Sequence, residues 1–131
     1  MATREYVNPS TLLAPPGPYS QVVRAGDLVF VSGQVGADSD NQLIGPGIAE
    51  QCDQALRNVR SALEAVGLGL EHVVKLTLFV VYPEDLPELA PHMDRSFPEF
   101  FGNGYPASSL VIVQRLFAPE LRIEIEAIAH V

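Results

Sequence analysis

Basic residues are scarce in this chain: 8 lysines and arginines stand against 16 aspartates and glutamates over 131 residues, a formal net charge of -8. That field repels phosphate backbones and anionic lipid, and no run of lysine and arginine overcomes it locally, so neither nucleic acid nor a membrane is an expected partner. Cysteine occurs once, as Cys52, which excludes an internal disulfide and a cysteine-rich metal site. No apolar stretch approaches the ~20 residues needed to cross a bilayer, and the longest candidate is interrupted by Lys75 and Thr77. The N-terminus lacks the basic stretch and apolar run of a secretory signal, which makes a cytoplasmic location the expectation. No internal repeat, low-complexity tract or linker is visible. No pair of His, Cys or carboxylate residues has a recognised ligand spacing, so neither a metal nor another cofactor is expected. The histidines, His72, His92 and His130, are scattered, and nothing places a histidine and an acid around a serine nucleophile.

What the chain does have is core-forming material. Apolar residues make up 47% and charged residues 18%, and the length suits one domain spanning residues 1–131. The segment 28–35 is rich in β-branched and aromatic residues and follows the turn signal Gly26-Asp27, predicting a hairpin with 21–24 as the preceding strand. From Ile48, the apolar residues Cys52, Ala55, Leu56, Val59, Ala62, Leu63 and Val66 fall on one helical face, and Gly67 follows as a stop. The opposite face, with Glu50, Gln51, Asp53, Gln54, Arg57, Asn58 and Arg60, reads as solvated. Residues 73–82 form a strand-like run, with Lys75 and Thr77 on one face and Val74, Leu76, Leu78 and Val80 on the other, ended by Pro83. A second helix is carried by Leu86, Leu89, Ala90, Met93, Phe97, Phe100 and Phe101, its start made irregular and its end kinked by Pro87, Pro91 and Pro98. Two more strands follow, 109–115 and 121–131. The first dozen residues read as a short strand or a loosely held arm.

The resulting order, ββαβαββ, predicts an α+β two-layer domain with both helices on one face of the sheet. Yet Val29, Val31 and Val35 oppose Leu28 and Phe30, and Val111 and Val113 oppose Leu110 and Ile112. A sheet apolar on both sides, with helices for only one, implies a partner on the other, and self-association is expected.

Several residues suit chemistry, each with an ordinary structural alternative. Tyr19 sits in a Gly-Pro turn, where its phenol either presents a hydroxyl to a cleft or packs its ring at a sheet edge. Gly33, beside Ser32 inside a strand, marks close approach of a ligand or backbone, or relieves crowding against a helix. Glu124 and Glu126 share one strand face, opposite Ile123, Ile125 and Ala127, and form either a site carboxylate pair or an acidic solvent-facing strand. Cys52, on the apolar helix face, reads as a small, inert core residue.

The segments Ala14-Pro15-Pro16-Gly17-Pro18-Tyr19-Ser20-Gln21, Ser32-Gly33-Gln34 and Glu124-Ile125-Glu126-Ala127-Ile128-Ala129 occur in the order, and at nearly the spacing, of one known pattern. Over residues 15–129 the chain resembles the Rid family of reactive-intermediate deaminases, also called YjgF-like proteins. The resemblance implies chorismate-mutase-like subunits in a homotrimer around a central barrel, with ligand clefts at the subunit interfaces. It makes Glu124 the residue that positions or activates the water attacking an imine carbon, and Tyr19, Ser32 and Gly33 cleft residues. The family's helix asparagine aligns with Asp94. Where the family's deaminases carry Pro-Ala-Arg-Ser, whose arginine binds the substrate carboxylate, this chain reads Pro106-Ala107-Ser108-Ser109, and the family's cysteine two positions beyond that arginine is Leu110. A desolvated arginine–carboxylate fork contributes about 2 to 5 kcal/mol, and a serine hydroxyl carries no charge to replace it. Arg95, Arg115 and Arg122 are the candidates to substitute from another direction, Arg115 fitting better as a structural residue.

The function implied is hydrolytic deamination of a small reactive imine, enamine or related carbonyl intermediate that lacks the usual α-carboxylate. The alternative is a non-catalytic small-molecule binder or metabolite sensor that kept the trimeric cleft. An RNase activity, sometimes attached to such proteins, is disfavoured by the acidic charge and by the absence of a paired histidine-lysine site.

Overall fold

The computed structural model describes residues 3–131. In chain order these contain β1 (Arg4–Val7), β2 (Val22–Ala25), β3 (Leu28–Val35), α1 (Ile48–Glu64), β4 (Val73–Val80), α2 (Leu86–Phe101), β5 (Ala107–Ile112) and β6 (Ile123–His130). The strands form one sheet in the order β1-β2-β3-β6-β4-β5. Neighbours are antiparallel except β4 and β5, which run parallel because α2 carries the chain back between them. The opening segment is thus a true strand, and β6, last in sequence, is inserted at the centre of the sheet.

Local chemistry explains most of the boundaries. Ala25 pairs with Leu28 across a two-residue turn in which Gly26 has φ 62°, a conformation glycine adopts without steric cost. Glu50 accepts a hydrogen bond from the Gly47 amide at 2.8 Å and so caps the start of α1. At the other end Gly67 turns left-handed at φ 78° and the Leu68 amide donates back to the Leu63 carbonyl at 2.9 Å, which satisfies a terminal carbonyl. A 3₁₀ turn, Pro83–Asp85, leads into α2, which continues through Pro91 and Pro98 to Phe101. β5 ends at Ile112, three residues short of the expected end, because its pairing follows β4 only from Lys75↔Ala107 to Val80↔Ile112.

The core lies between the sheet and α1. Val29, Val31, Leu76, Leu78, Val80, Ile123, Ile125, Ala127 and Ala129 form its floor, and Ile48, Cys52, Ala55, Leu56, Val59, Ala62 and Leu63 close it from above, all buried. The expected solvated face of α1 is only partly solvated. Gln51 is fully buried: its amide donates to the Gly45 and Glu120 carbonyls at 3.0 and 3.1 Å and accepts from the Arg122 amide at 2.8 Å. Asn58 is buried as well, and donates to the Val35 and Ala37 carbonyls at 3.0 and 2.8 Å. Periodicity cannot anticipate this, because the covering chain comes from the segments after β3 and before β6.

Two bulges overturn simple alternation. Val73 pairs with Ala129 but Lys75 with Ile128, so Val74 is left exposed rather than sharing the core face with Leu76. A second irregularity, in β3 between Val31 and Gln34, turns Gln34 into the core and sends Val35 to the face opposite Val29 and Val31. The helix-free face of the sheet shows Tyr6, Leu28 and Phe30 to solvent, and every residue of the edge strand β5 is exposed.

Candidate active site

Glu124 lies near the start of β6, with β3 on one side and β4 on the other. Ile123, Ile125 and Ala127 anchor the strand in the core, which sends Glu124 and Glu126 to the helix-free face. Beside them the β3 ladder breaks. Three steps along β3, from Val31 to Gln34, span two steps along β6, from Ala127 to Ile125, and the extra residue makes a bulge at Ser32-Gly33. The Glu124 side chain lies over this bulge: a Cβ at Gly33 would come 2.6 Å from Glu124 Cδ and 2.8 Å from Oε1. Only glycine lets the carboxyl settle there, so the close approach weighed for Gly33 is that of a carboxylate. The carboxyl is half-buried, and burial, followed by the charge of Glu126, raises its pKa above the ordinary value. A carboxylate stripped of part of its water in this way is a stronger base than a free one.

The bulge is held by the segment around Tyr19. Ser32 donates its hydroxyl to the Ser20 carbonyl at 2.6 Å and its amide to the Gln21 carbonyl at 2.9 Å. The hydroxyl proton is committed, so Ser32 is a brace rather than a nucleophile. Tyr19, whose amide donates to the Gly17 carbonyl at 2.9 Å, precedes this brace by one residue and is 49% exposed. Ser32, Gly33 and Glu124 are therefore brought together by a single chain, with the Tyr19 backbone one residue from the brace.

The other candidate residues are elsewhere. Ser108 pairs with Leu76, and Leu76 with Ala127, whose side chains face the helices. Two strand spacings and three residues of rise put the Ser108 Cα about 14 Å from that of Glu124. Leu110 is aligned in the same way with Leu78 and Ile125. Asp94 is exposed on α2, in the helix layer. Within one chain, then, Ser108, Leu110 and Asp94 do not meet Glu124. A cavity of about 510 Å³ opens at the β1–β2 edge, lined by Thr3, Arg4, Tyr6 and Ala25, away from all of these residues.

None of the three arginines stands beside Glu124 to replace a missing fork. Arg122 donates to both Asp85 carboxylate oxygens at 2.9 and 3.1 Å and to the Pro46 carbonyl at 2.9 Å, with its guanidinium 4.9 Å from the Tyr82 ring centroid. Its pKa is raised, first by the Asp85 hydrogen bond. Arg95 is exposed on α2. Arg115 is exposed too, and bonds only to the carbonyl of the next residue, Leu116, at 3.3 Å, so it braces nothing distant. Cys52 is buried, with its thiol pushed up to about 12 by burial and then by Asp53, which makes it a poor nucleophile. Among the described residues, no three His, Cys, Asp or Glu side chains cluster as a metal site, and no helix is long and apolar enough to cross a membrane.

Residues 10–131 match the family described as Endoribonuclease L-PSP, the Rid or YjgF-like proteins. The chain belongs to this family. A RutC family protein of Pyrococcus horikoshii is 39% identical over 117 residues, which cover 88% of this chain and 89% of that protein. A 2-iminobutanoate/2-iminopropanoate deaminase of Dermatophagoides farinae is 38% identical over 122 residues, 91% of each chain. The crystal structure of E. coli TdcF with bound serine superposes with a TM-score of 0.87 at 30% identity, covering 97% of this chain and 98% of that one. The two-layer α+β fold is thus that of the Rid proteins. In this Rid chain two site-supporting residues escaped sequence reasoning although both lay inside the quoted motifs. Gln21 and Gln34 are each 5% exposed and bonded to one another at 2.8 Å, and their burial beside the bulge is a property of the folded loop, not of strand alternation.

Proposed function

We propose that this Rid protein hydrolyses a small imine, or the imine form of an enamine, to the carbonyl compound and ammonia. The observation that carries the proposal is the half-buried Glu124 carboxylate lying over the Ser32-Gly33 bulge, with its pKa raised. Glu124 takes a proton from water as the oxygen bonds to the imine carbon. Glu124 passes that proton to the imine nitrogen to complete the carbinolamine, and the carbinolamine hydroxyl proton then moves through Glu124 to the nitrogen as the C–N bond breaks, the carbonyl forms and ammonia leaves. The cleft lies between copies in a homotrimer, where β5 of one copy brings Ser108 and Leu110 to Glu124 of the next. The exposed β5 edge and the apolar residues Leu28 and Phe30 on the helix-free face support such packing. Because Ser108 is uncharged, the preferred substrate lacks an α-carboxylate. The absence of Arg95, Arg115 and Arg122 from beside Glu124 within the chain favours a second reading, a cleft that binds a metabolite without turning it over.

Ammonia release from freshly generated 2-iminopropanoate, and from an imine without a carboxylate, separates these readings when wild type, Ser108→Arg and Glu124→Ala are compared. The expected result is wild-type activity on the uncharged imine, loss of it in Glu124→Ala, and a gain on 2-iminopropanoate in Ser108→Arg. Inactivity of wild type on both, with no gain in Ser108→Arg, would leave the binding reading standing.

A further inference from the structure

Beneath the bulge lies a buried amide pair that no step of the proposed reaction uses. Gln34 Nε2 donates to the Ser32 carbonyl at 2.9 Å and to Gln21 Oε1 at 2.8 Å. Gln21 Nε2 in turn donates to the Leu13 carbonyl at 2.8 Å, and the Gln21 amide donates to Asn8 Oδ1 at 2.9 Å. Together with the two Ser32 bonds already described, these contacts engage the Ser32 amide, carbonyl and hydroxyl at once. They also tie the residue after Ser20 to the strand that carries Gly33. Two buried amides beside an apolar core are expensive unless they are bonded, and here both side-chain nitrogens and Gln21 Oε1 are bonded. A residue of similar volume without an amide would pack here, so packing alone does not call for glutamine at position 34.

We infer that Gln34 is a positioning residue: through Ser32 and Gln21 its amide fixes the bulge and the Tyr19-Ser20 turn in one register against Glu124, without itself touching substrate. Its burial, at 5% exposure, keeps it from any ligand on the helix-free face. The consequence is asymmetric. Losing the amide frees the Ser32 carbonyl, the bulge shifts, and the support on which Glu124 rests moves with it. Misplacement of a reacting group by about 1 Å is enough to cost on the order of 100-fold in rate.

This inference rests on the deaminase reading, so its test needs one arm that does not. Gln34→Leu and Gln34→Glu are compared with Leu63→Ala, a buried position near the far end of α1 that disturbs stability without touching the bulge. Gln34→Glu keeps the side chain's length and, held protonated by burial against two acceptor oxygens, retains one donor where glutamine has two, so it serves where the leucine variant fails to fold. Backbone amide exchange is read at Ser32 and Gly33, and kcat and KM for ammonia release are measured in parallel. Exchange at these two amides is expected to rise about 10- to 100-fold in the Gln34 variants and to match the global change in Leu63→Ala. The kcat is expected to fall about 10- to 100-fold, with KM within about threefold, in the Gln34 variants only. If exchange and kcat change alike in the Gln34 variants and in Leu63→Ala, or if the Gln34 variants keep wild-type kcat, Gln34 is merely structural. If wild type releases no ammonia but exchange still responds to position 34 alone, the positional lock stands and the deaminase reading falls.

Discussion

The two regions that would meet in the cleft are built in opposite ways. Around β3 and β6 every feature is finished within one chain: the bulge is braced from Ser20, Gln21 and Gln34, and Glu124 rests where only glycine admits it. At the β5 edge nothing is finished. Among the described residues its backbone edge has no strand beyond it, all its residues are exposed, and Leu110, Val111 and Ile112 remain 41–43% accessible. Strand edges of that kind are normally covered, charged or paired, and this one is none of these within the chain. On the proposed reading, a rigid half that holds the reactive group and an open half free to meet a second copy would divide the labour of a shared site, with geometry set locally and ligand preference set by contact.

The largest effect should come from the rigid half. Glu124→Gln keeps the shape and removes the base, and ammonia release is expected to drop by about 100- to 10,000-fold. The same variant should be more stable than wild type at neutral pH. A carboxyl whose folded pKa is raised binds its proton more tightly in the folded state, so it costs stability as pH rises from its ordinary pKa to the raised one. A thermal scan at pH 7 should therefore show a higher Tm for Glu124→Gln, an advantage that shrinks at a pH below the ordinary carboxylate pKa. An unchanged or lowered Tm at pH 7 would mean the carboxylate is not strained by its burial.

Gly33→Ala comes next. The methyl would occupy the space of the Glu124 carboxyl, so kcat is expected to fall about 10- to 100-fold while the fold survives. Retained kcat would show that Glu124 works from another position. In the open half, Val111→Lys places a charge on the exposed edge strand, and sedimentation should report smaller species with wild-type helical content. An unchanged mass would argue that this edge is free in solution. The smallest catalytic effect is expected at Arg122, which braces Asp85, Pro46 and Tyr82. Arg122→Ala should cost about 1 to 3 kcal/mol in denaturant unfolding and leave KM untouched, whereas a raised KM would make it a ligand-binding residue.

The finished half and the open half were not equally legible in the sequence. Helix α1, its glycine stop and the alternation of β6 follow from periodicity, because each depends on neighbours a few residues apart. The glycine in β3 signalled a close approach, but not that the approaching group is Glu124, since the Glu124 side chain reaches residue 33 only because sheet order pairs Glu124 with Val35 beside the bulge. The insertion of β6 between β3 and β4 also separates Ser108 from Glu124 within the chain, which no local pattern reveals. Where a bulge adds a residue, alternation fails, and Val35 and Val74 changed faces for that reason. Buried amides such as Gln51, Asn58 and Gln34 look like surface residues in any sequence window, because Gln51 and Asn58 are satisfied by carbonyls of distant segments and Gln34 by the side chain of Gln21 together with the Ser32 carbonyl in the bulge.

The most direct test of a site shared between copies is subunit mixing. Glu124→Gln and Ser108→Trp chains, the second blocking the β5 contribution, are each expected to be inactive alone. Unfolded and refolded together, they should form mixed oligomers in which some clefts combine an intact Glu124 with an intact Ser108, and ammonia release should return. If mixing restores nothing, or if Ser108→Trp alone retains full activity, the cleft is not completed by β5 of a second chain.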